Sequence, residues 1–164
     1  MRIAIVCLGN ICRSPMGEVV LRTLVERRGV ADVSVESYGT ASYHEGSGAD
    51  RRSEQALVRA GWPSGNHCAR GLRAADLDRL DLVLCADRAN LADVQRLARR
   101  AGSAVKVELL RDYDPLAGPG DDEVPDPWSG DARDFDLALE MIERSCAGVI
   151  DRLGLTSRSV PGVD

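Results

Sequence analysis

At 164 residues, 44% apolar and 29% charged, the chain has the size and make-up of one soluble globular domain, able to bury a core without disulfides or metal. Its net charge of −5 argues against a general binder of nucleic acid or anionic membrane, since either needs a basic face, but leaves room for one locally positive cleft. The positive charge is nearly all arginine, with Lys106 the one lysine.

Apolar strand-like runs alternate with helical patterns, which indicates a parallel sheet covered by helices. Arg2 to Val6 reads as a short buried strand. Pro15 to Arg28 follows as a helix with Met16, Val20 and Leu24 inward and Gly29 as its stop. Val33 to Tyr38 predicts a second strand, Asp50 to Ala60 a helix ended by Gly61, and Arg73 to Leu80 a short helix. Leu82 to Ala86 is the third strand, and Asp87 caps a helix running through Ala101. Val105 to Leu109 is the fourth strand. Leu110 to Asp131 forms a long Pro/Gly/Asp-rich loop, of the kind that commonly carries function. Phe135, Ala138, Leu139, Ile142, Cys146, Val149 and Leu153 trace one stripe on a last helix. Residues 1–155 form the expected domain and 156–164 a loose tail.

The five cysteines are an odd number, no secretory leader precedes the first strand, and no apolar run can span a bilayer. The expectation is a reduced, cytoplasmic protein with free thiols, export by a leaderless route staying open. Zinc is not expected, because there is no Cys-x2-Cys pair and His44 and His67 lack ligand spacing. No cofactor is called for. Cys68, Cys85 and Cys146 fall in strand or helix patterns and read as core.

The most informative stretch is Cys7-Leu8-Gly9-Asn10-Ile11-Cys12-Arg13-Ser14-Pro15, at the junction of the first strand and helix. The chain must turn sharply there, so backbone N–H groups converge at a helix N-terminus and favour an anion. A cysteine facing such a nest is expected to act as a thiolate near neutral pH. Arg13 adds a planar fork suited to a tetrahedral oxyanion, at a cost against the helix dipole that a bound dianion would offset. Nucleophile, anion cradle and charge clamp together indicate phosphoryl transfer or another oxyanion chemistry.

Cys, five residues, then Arg-Ser is the signature of cysteine-dependent phosphatases. With Gly-Asn-Ile-Cys inside the loop, and the loop so near the start, the chain resembles the low-molecular-weight protein tyrosine phosphatase family. The likeness continues through Ser37-Tyr38-Gly39-Thr40, Asp50-Arg51-Arg52, His67-Cys68-Ala69-Arg70, Asp81 to Asp87 and Asp126-Pro127-Trp128, fading after about Leu153. It implies an α/β fold, a small doubly wound parallel sheet of four strands in order 2-1-3-4 with helices on both faces. The site should lie at the carboxyl end of the first strand.

The resemblance implies Cys7 as nucleophile and a phosphate cradle of Leu8, Gly9, Asn10, Ile11, Cys12, Arg13 and Ser14, with Arg13 as clamp. It also implies Asp126 as general acid and base, because a phenolate leaving group needs a proton. Ser14 is either a helix N-cap or, as the family has it, a hydrogen-bond partner of the Cys7 sulfur. Asn10 suits a left-handed turn by itself; the resemblance adds links to Ser14 and His67 that support the loop. Cys12 reads equally as a core-facing helix cap or, by resemblance, as the partner of Cys7 in a protective disulfide. Tyr43 and Trp128 are implied as aromatic walls, although each alone could be packing. The expected partner is a tyrosine-phosphorylated protein, with no nucleic acid or membrane, and the chain is a monomer or weakly self-associating.

Two departures stand out. Trp128-Ser129 replaces the adjacent tyrosines that many members carry after Asp-Pro, and Tyr43 stands where many bacterial members have tryptophan. Among rivals on the same scaffold, arsenate reductase needs relay cysteines. Cys85 falls in a suggestive region, but seven residues later stands Ala92. Protein arginine phosphatases usually have threonine where Ile11 stands, which favours tyrosine here. A non-catalytic anion-binding or redox-sensing module built on Cys7 and Cys12 would need neither Asp126 nor the aromatic walls.

Overall fold

Ile3, Ala4, Ile5 and Val6 send alternate side chains to opposite faces, and all four are fully buried. A strand buried on both faces belongs in the middle of a sheet. In the computed structural model, which describes residues 1–156, β1 (Arg2–Cys7) is flanked in parallel by β2 (Ser34–Gly39) and β3 (Leu82–Cys85), and β4 (Lys106–Leu109) lies outside β3. The order is β2-β1-β3-β4. The chain adds β2 on one side of β1 and then β3 and β4 on the other, and this switch in strand order opens a crevice at the carboxyl ends of β1 and β3, where Cys7 is the last residue of β1.

Among the described residues five α-helices accompany the sheet: α1 (Arg13–Arg27), α2 (Arg51–Arg59), α3 (Ala74–Leu77), α4 (Arg88–Ala101) and α5 (Ala132–Arg152). Ile3 and Ile5 pack with Met16 and Leu21 of α1 and with Phe135, Ile142 and Cys146 of α5. Ala4 and Val6 pack with Tyr38, Val83, Val94 and Ala98 on the other face. Cys7 shares the face of Ile3 and Ile5, so the strand's alternation points its thiol toward the start of α1.

The predicted elements are present with adjusted ends. The last helix starts before its apolar stripe, because Asp131 caps it at Arg133 N, 2.8 Å, and Asp134 returns the bond to Asp131 N, 2.8 Å. The helix expected over Arg73 to Leu80 is a single turn, after which Asp81 N bonds to Arg2 O, 2.9 Å, as the chain enters β3. The long loop opens with a 3-10 turn, Leu110–Tyr113. Cys68 is a correction: it lies exposed on the irregular segment 62–70, outside the core, whereas Cys85 and Cys146 are buried. The expected loose tail falls, beyond Thr156, outside the described residues. No described helix is long and apolar enough to cross a membrane.

Candidate active site

The turn between β1 and α1 is held by its carbonyl groups. Cys7 O accepts from Thr40 N and Leu8 O from Ala41 N, both at 2.9 Å, and Ile11 O accepts from Asp50 N at 2.8 Å. His67 Nε2 donates to Asn10 O at 2.6 Å. The amides of residues 8–12 have no acceptor among the described residues, so the loop is left as a ring of unpaired donors at the start of α1. Gly39 allows this fit, since a Cβ there would lie 2.8 Å from Leu8 O and 2.7 Å from Ala41 O.

Asn10 is the hub. It sits fully buried at φ 56, a left-handed position that asparagine tolerates, and spends its whole side chain on the loop. Nδ2 donates to Ser14 Oγ at 2.9 Å and to Ser37 Oγ at 3.0 Å, while Oδ1 accepts from Arg70 N at 2.9 Å. Ser14 Oγ also lies 3.0 Å from Cys7 Sγ. Ser14 is therefore not the helix cap: that backbone position belongs to Cys12, which makes no side-chain cap bond. Ser37 continues the chain to the Glu18 carboxylate. The sequence marked Asn10, Ser14 and His67; it gave no reason to single out Ser37 beyond its place in a shared motif.

Arg13 is 3% exposed, an unusual place for a guanidinium. Nη1 donates to Asp87 Oδ2 at 2.7 Å and to Val124 O at 2.9 Å, and Nη2 to Asp126 Oδ2 at 3.3 Å. Burial by itself would lower its proton affinity; the Cys7 charge, the Asp87 hydrogen bond and the Asp126 carboxylate outweigh this and hold it above the ordinary arginine range. Asp87 does two jobs, since its Oδ1 also caps α4 at Asn90 N, 2.8 Å. From sequence Asp87 reads as a cap alone. Its second role needed β3 and β1 to be neighbours.

Asp126 faces this group from the long loop, with Oδ1 accepting from Trp128 N at 3.2 Å. A cavity of about 280 Å³ is lined by Cys7, Arg13, Tyr43, His44, Asp126 and Trp128, together with residues of the β1–α1 loop. Tyr43 and Trp128 are 67% and 57% exposed, so neither is core packing. His44, unmarked by sequence, meets Tyr43 edge-on with ring centres 4.8 Å apart. Cys12 is buried at the same loop, and burial, with the Asp50 charge, pushes its thiol up to about 12. Asp50 caps α2 and pairs with Arg52 at 2.8 Å. Arg52 reaches on to Gly130 O, 3.1 Å, and lies over the Phe135 ring, 4.5 Å, tying the end of the long loop to the base of the β1–α1 loop.

A thiol at the carboxyl end of a central parallel strand lies beside open amides and a buried arginine, in an α/β fold whose strand order leaves that end accessible. The family model for low molecular weight phosphotyrosine protein phosphatases matches residues 2–158. A low molecular weight protein-tyrosine-phosphatase of Streptomyces coelicolor is 44% identical over 150 residues, covering 91% of each chain. A protein tyrosine phosphatase structure from Entamoeba histolytica superposes with a TM-score of 0.85 at 28% identity, over 94% of this chain and 97% of the other. A Drosophila arginine phosphatase gives 0.87 at 29% identity, over 93% and 98%. The chain belongs to the low-molecular-weight phosphotyrosine protein phosphatase family, and is a phosphoric monoester hydrolase.

Proposed function

We propose that the chain hydrolyses phosphotyrosine in protein substrates through a cysteinyl-phosphate intermediate, with Cys7 as nucleophile, Arg13 as clamp and Asp126 as general acid and then base. The observation that carries the reading is that Cys7, with its Ser14 partner, lines one cavity together with Arg13 and Asp126. Arg13 Nη1 is committed to Asp87 and Val124 O. Nη2 and Nε are the pair left to grip two phosphate oxygens, in the bidentate geometry a guanidinium favours. The entering dianion takes Nη2 from Asp126 and frees its Oδ2 for the leaving group.

Attack by Cys7 sulfur forms the S–P bond as the P–O bond to the phenol breaks. Protonated Asp126 delivers its proton to that oxygen. The amides of residues 8–12 and Arg13 stabilise the equatorial oxygens throughout. In the second step Asp126, now a carboxylate, takes a proton from water as it attacks phosphorus. The sulfur leaves, with the Ser14 hydroxyl hydrogen-bonded to it. Tyr43 and Trp128 flank the opening and favour a flat phenol long enough to reach the floor.

The same reading places the protein in a reducing, cytoplasmic setting, acting without a cofactor as a monomer or weak self-associate. Under peroxide, Cys7 becomes a sulfenic acid and condenses with the Cys12 thiol, releasing water and forming a reversible disulfide. Peptide mapping after peroxide should recover a Cys7–Cys12 pair; its absence would remove the protective role. The arginine-phosphatase neighbour makes phosphoarginine the second substrate to test. Ile11 in the loop favours tyrosine. Turnover of phosphotyrosine peptides well above phosphoarginine peptides is expected, and the reverse ranking would replace this reading.

A further inference from the structure

Besides Arg13, the catalytic cavity is lined by one other basic side chain, the imidazole of His44. Arg13 is buried, and its guanidinium is engaged by Asp87, Val124 O and Asp126. His44 is half-buried, and among the described residues neither of its ring nitrogens has a hydrogen-bond partner. The ring is nevertheless held in place. It lies so close to Gly9 that a Cβ there would come within 2.9 Å of its Cδ2, and Tyr43 meets it edge-on. The turn that carries it is closed by Glu45 N donating to Ser42 O at 3.0 Å and Ser47 N to His44 O at 2.9 Å. On one side Ala41 N, donating to Leu8 O at 2.9 Å, fixes this segment to the β1–α1 loop; on the other Gly46 N donates to Ala69 O at 2.8 Å. A side chain already ordered in a cavity wall, with both nitrogens open, loses little further freedom when it bonds a ligand.

We propose that His44 is a specificity residue that receives a carboxylate next to the phosphotyrosine of the substrate. Peptides with an aspartate or glutamate beside phosphotyrosine are then preferred, most strongly when the imidazole is protonated. The inference rests on the phosphatase reading above and adds to it a class of substrate sequence. In that reading the phosphate is held by the amides of residues 8–12 and by Arg13, and the phenol lies between Tyr43 and Trp128. What remains for His44 is the chain on either side of the phosphotyrosine, which must cross the opening where Tyr43 and Trp128 are exposed. A neutral imidazole has one N–H to donate; a protonated one has two and a charge, and a carboxylate is the acceptor that gains from both. An amide of the same shape accepts a hydrogen bond but gains nothing from the charge.

The charges around His44 set the sign of the effect. On its own turn Glu45 is the neighbour in sequence, and Arg73 engages that carboxylate at 2.7 Å. The β1–α1 loop brings Cys7, Cys12 and Arg13 to the cavity, and the long loop brings Asp126, 3.3 Å from Arg13. Among the described residues no other arginine and no lysine lines the cavity, so His44 is the cation left for a carboxylate at the opening. Histidine changes charge between about pH 5 and 8, gaining its positive charge as pH falls. Preference for the acidic peptide therefore grows on acidification and fades as pH rises. Ionisation of Cys7, Asp126 and the substrate phosphate bears on an acidic peptide and its amide twin alike, so the ratio of their kcat/KM values isolates the flanking contact.

The test measures kcat/KM of the whole protein for phosphotyrosine peptides with aspartate on either side of the phosphotyrosine, each against its asparagine counterpart, at about pH 5.5 and about pH 8. For at least one side, the acid-to-amide ratio should be about two- to fivefold larger at the lower pH, the size of one exposed ion pair. His44→Gln, which keeps a hydrogen-bond donor without the charge, should make the ratio independent of pH. His44→Lys should hold the ratio high at both. A wild-type ratio that does not move with pH on either side would overturn the proposal. So would a ratio that moves equally in His44→Gln, which would assign the effect to another group such as Asp126. A ratio in His44→Lys no higher than in His44→Gln at the upper pH would also overturn it. Affinities of hydrolysis-resistant phosphonate versions of the same peptides are read alongside by calorimetry. If no phosphotyrosine peptide is turned over, the phosphatase reading falls, and the phosphonate affinities still decide whether His44 selects an acidic flank.

Discussion

The two loops that meet at Arg13 are stabilised in opposite ways. The loop between β1 and α1 is short and pinned through its acceptors: the carbonyls of Cys7, Leu8, Asn10 and Ile11 are taken by Thr40, Ala41, His67 and Asp50, its amides stay open, and its one left-handed residue is bonded through every side-chain atom that can bond. The loop from Leu110 to Asp131, which carries Asp126, is long and tethered by ion pairs. Arg111, 1% exposed, holds Asp121 at 2.7 Å and Asp114 at 3.3 Å, and donates to Glu123 O at 3.2 Å. Arg144 adds a second grip on Asp114 at 3.1 Å, and one backbone bond, Val124 N to Ala86 O at 2.8 Å, fixes the loop to the end of β3. Asp114 would be raised by burial, but the Arg144 hydrogen bonds and the Arg111 charge keep it below the ordinary carboxylate range. Beyond Val124 the loop is exposed at Asp126 and Trp128. A cradle for charge must be fixed before the substrate arrives, because reorganising it would consume the stabilisation it gives. A proton donor has to release one contact and make another. Firm anchoring at its base and freedom at its tip fit that task.

This contrast can be tested by the substrates each loop affects. Removing the cradle should damage every reaction. Cys7→Ser should abolish turnover while oxyanion binding, measured by inorganic phosphate inhibition or calorimetry, survives. Arg13→Ala should lower kcat/KM on the order of 10³-fold for aryl and alkyl phosphates alike. Near-normal turnover in either variant would dissolve the distinction at its strongest point.

Asp126→Ala should be selective. With a poor leaving group such as phenol the loss should reach about 10²–10⁴-fold, the usual range for a missing general acid, and it should shrink as the leaving group improves. A Brønsted plot over substituted phenyl phosphates reads this directly: a steeper slope than wild type is expected. An unchanged slope would make Asp126 a positioning partner of Arg13 rather than the acid.

Smaller effects should come from the loop's tip and tether. Trp128→Ala removes one aromatic wall, worth about 0.5–1.5 kcal/mol if it stacks on the substrate ring. The expected result is a several-fold drop in kcat/KM for phosphotyrosine peptides and a smaller one for alkyl phosphates; equal drops would move specificity elsewhere. Asp121→Ala cuts one ion pair to Arg111 on its exposed side, and such pairs are worth up to about 1 kcal/mol. A loss of no more than about fivefold with phenyl phosphate is expected, with activated esters almost untouched. A uniform loss across leaving groups would show that the tether also supports the cradle.

Local chemistry alone determined much of this protein. Alternation of apolar residues in β1, the glycine stops of α1 and α4, the caps Asp50 and Asp87, and the stripe along α5 are short-range patterns, and each is legible within a dozen residues. The loop from Cys7 to Pro15 was equally legible, because its strand, turn and helix start are contiguous. Contacts between charges far apart in sequence were not. Asp87 reads as a helix cap until β3 is laid beside β1 and brings it to Arg13, 74 residues away. Arg111 and Asp114, which no local pattern singles out, are buried together only by the fold. Cys68 reads as core when it is assigned to a strand or helix pattern, yet its segment joins neither and the residue is exposed. Periodicity reports how one segment meets water. Which charge pays for burying which other depends on elements that meet only when the sheet is assembled.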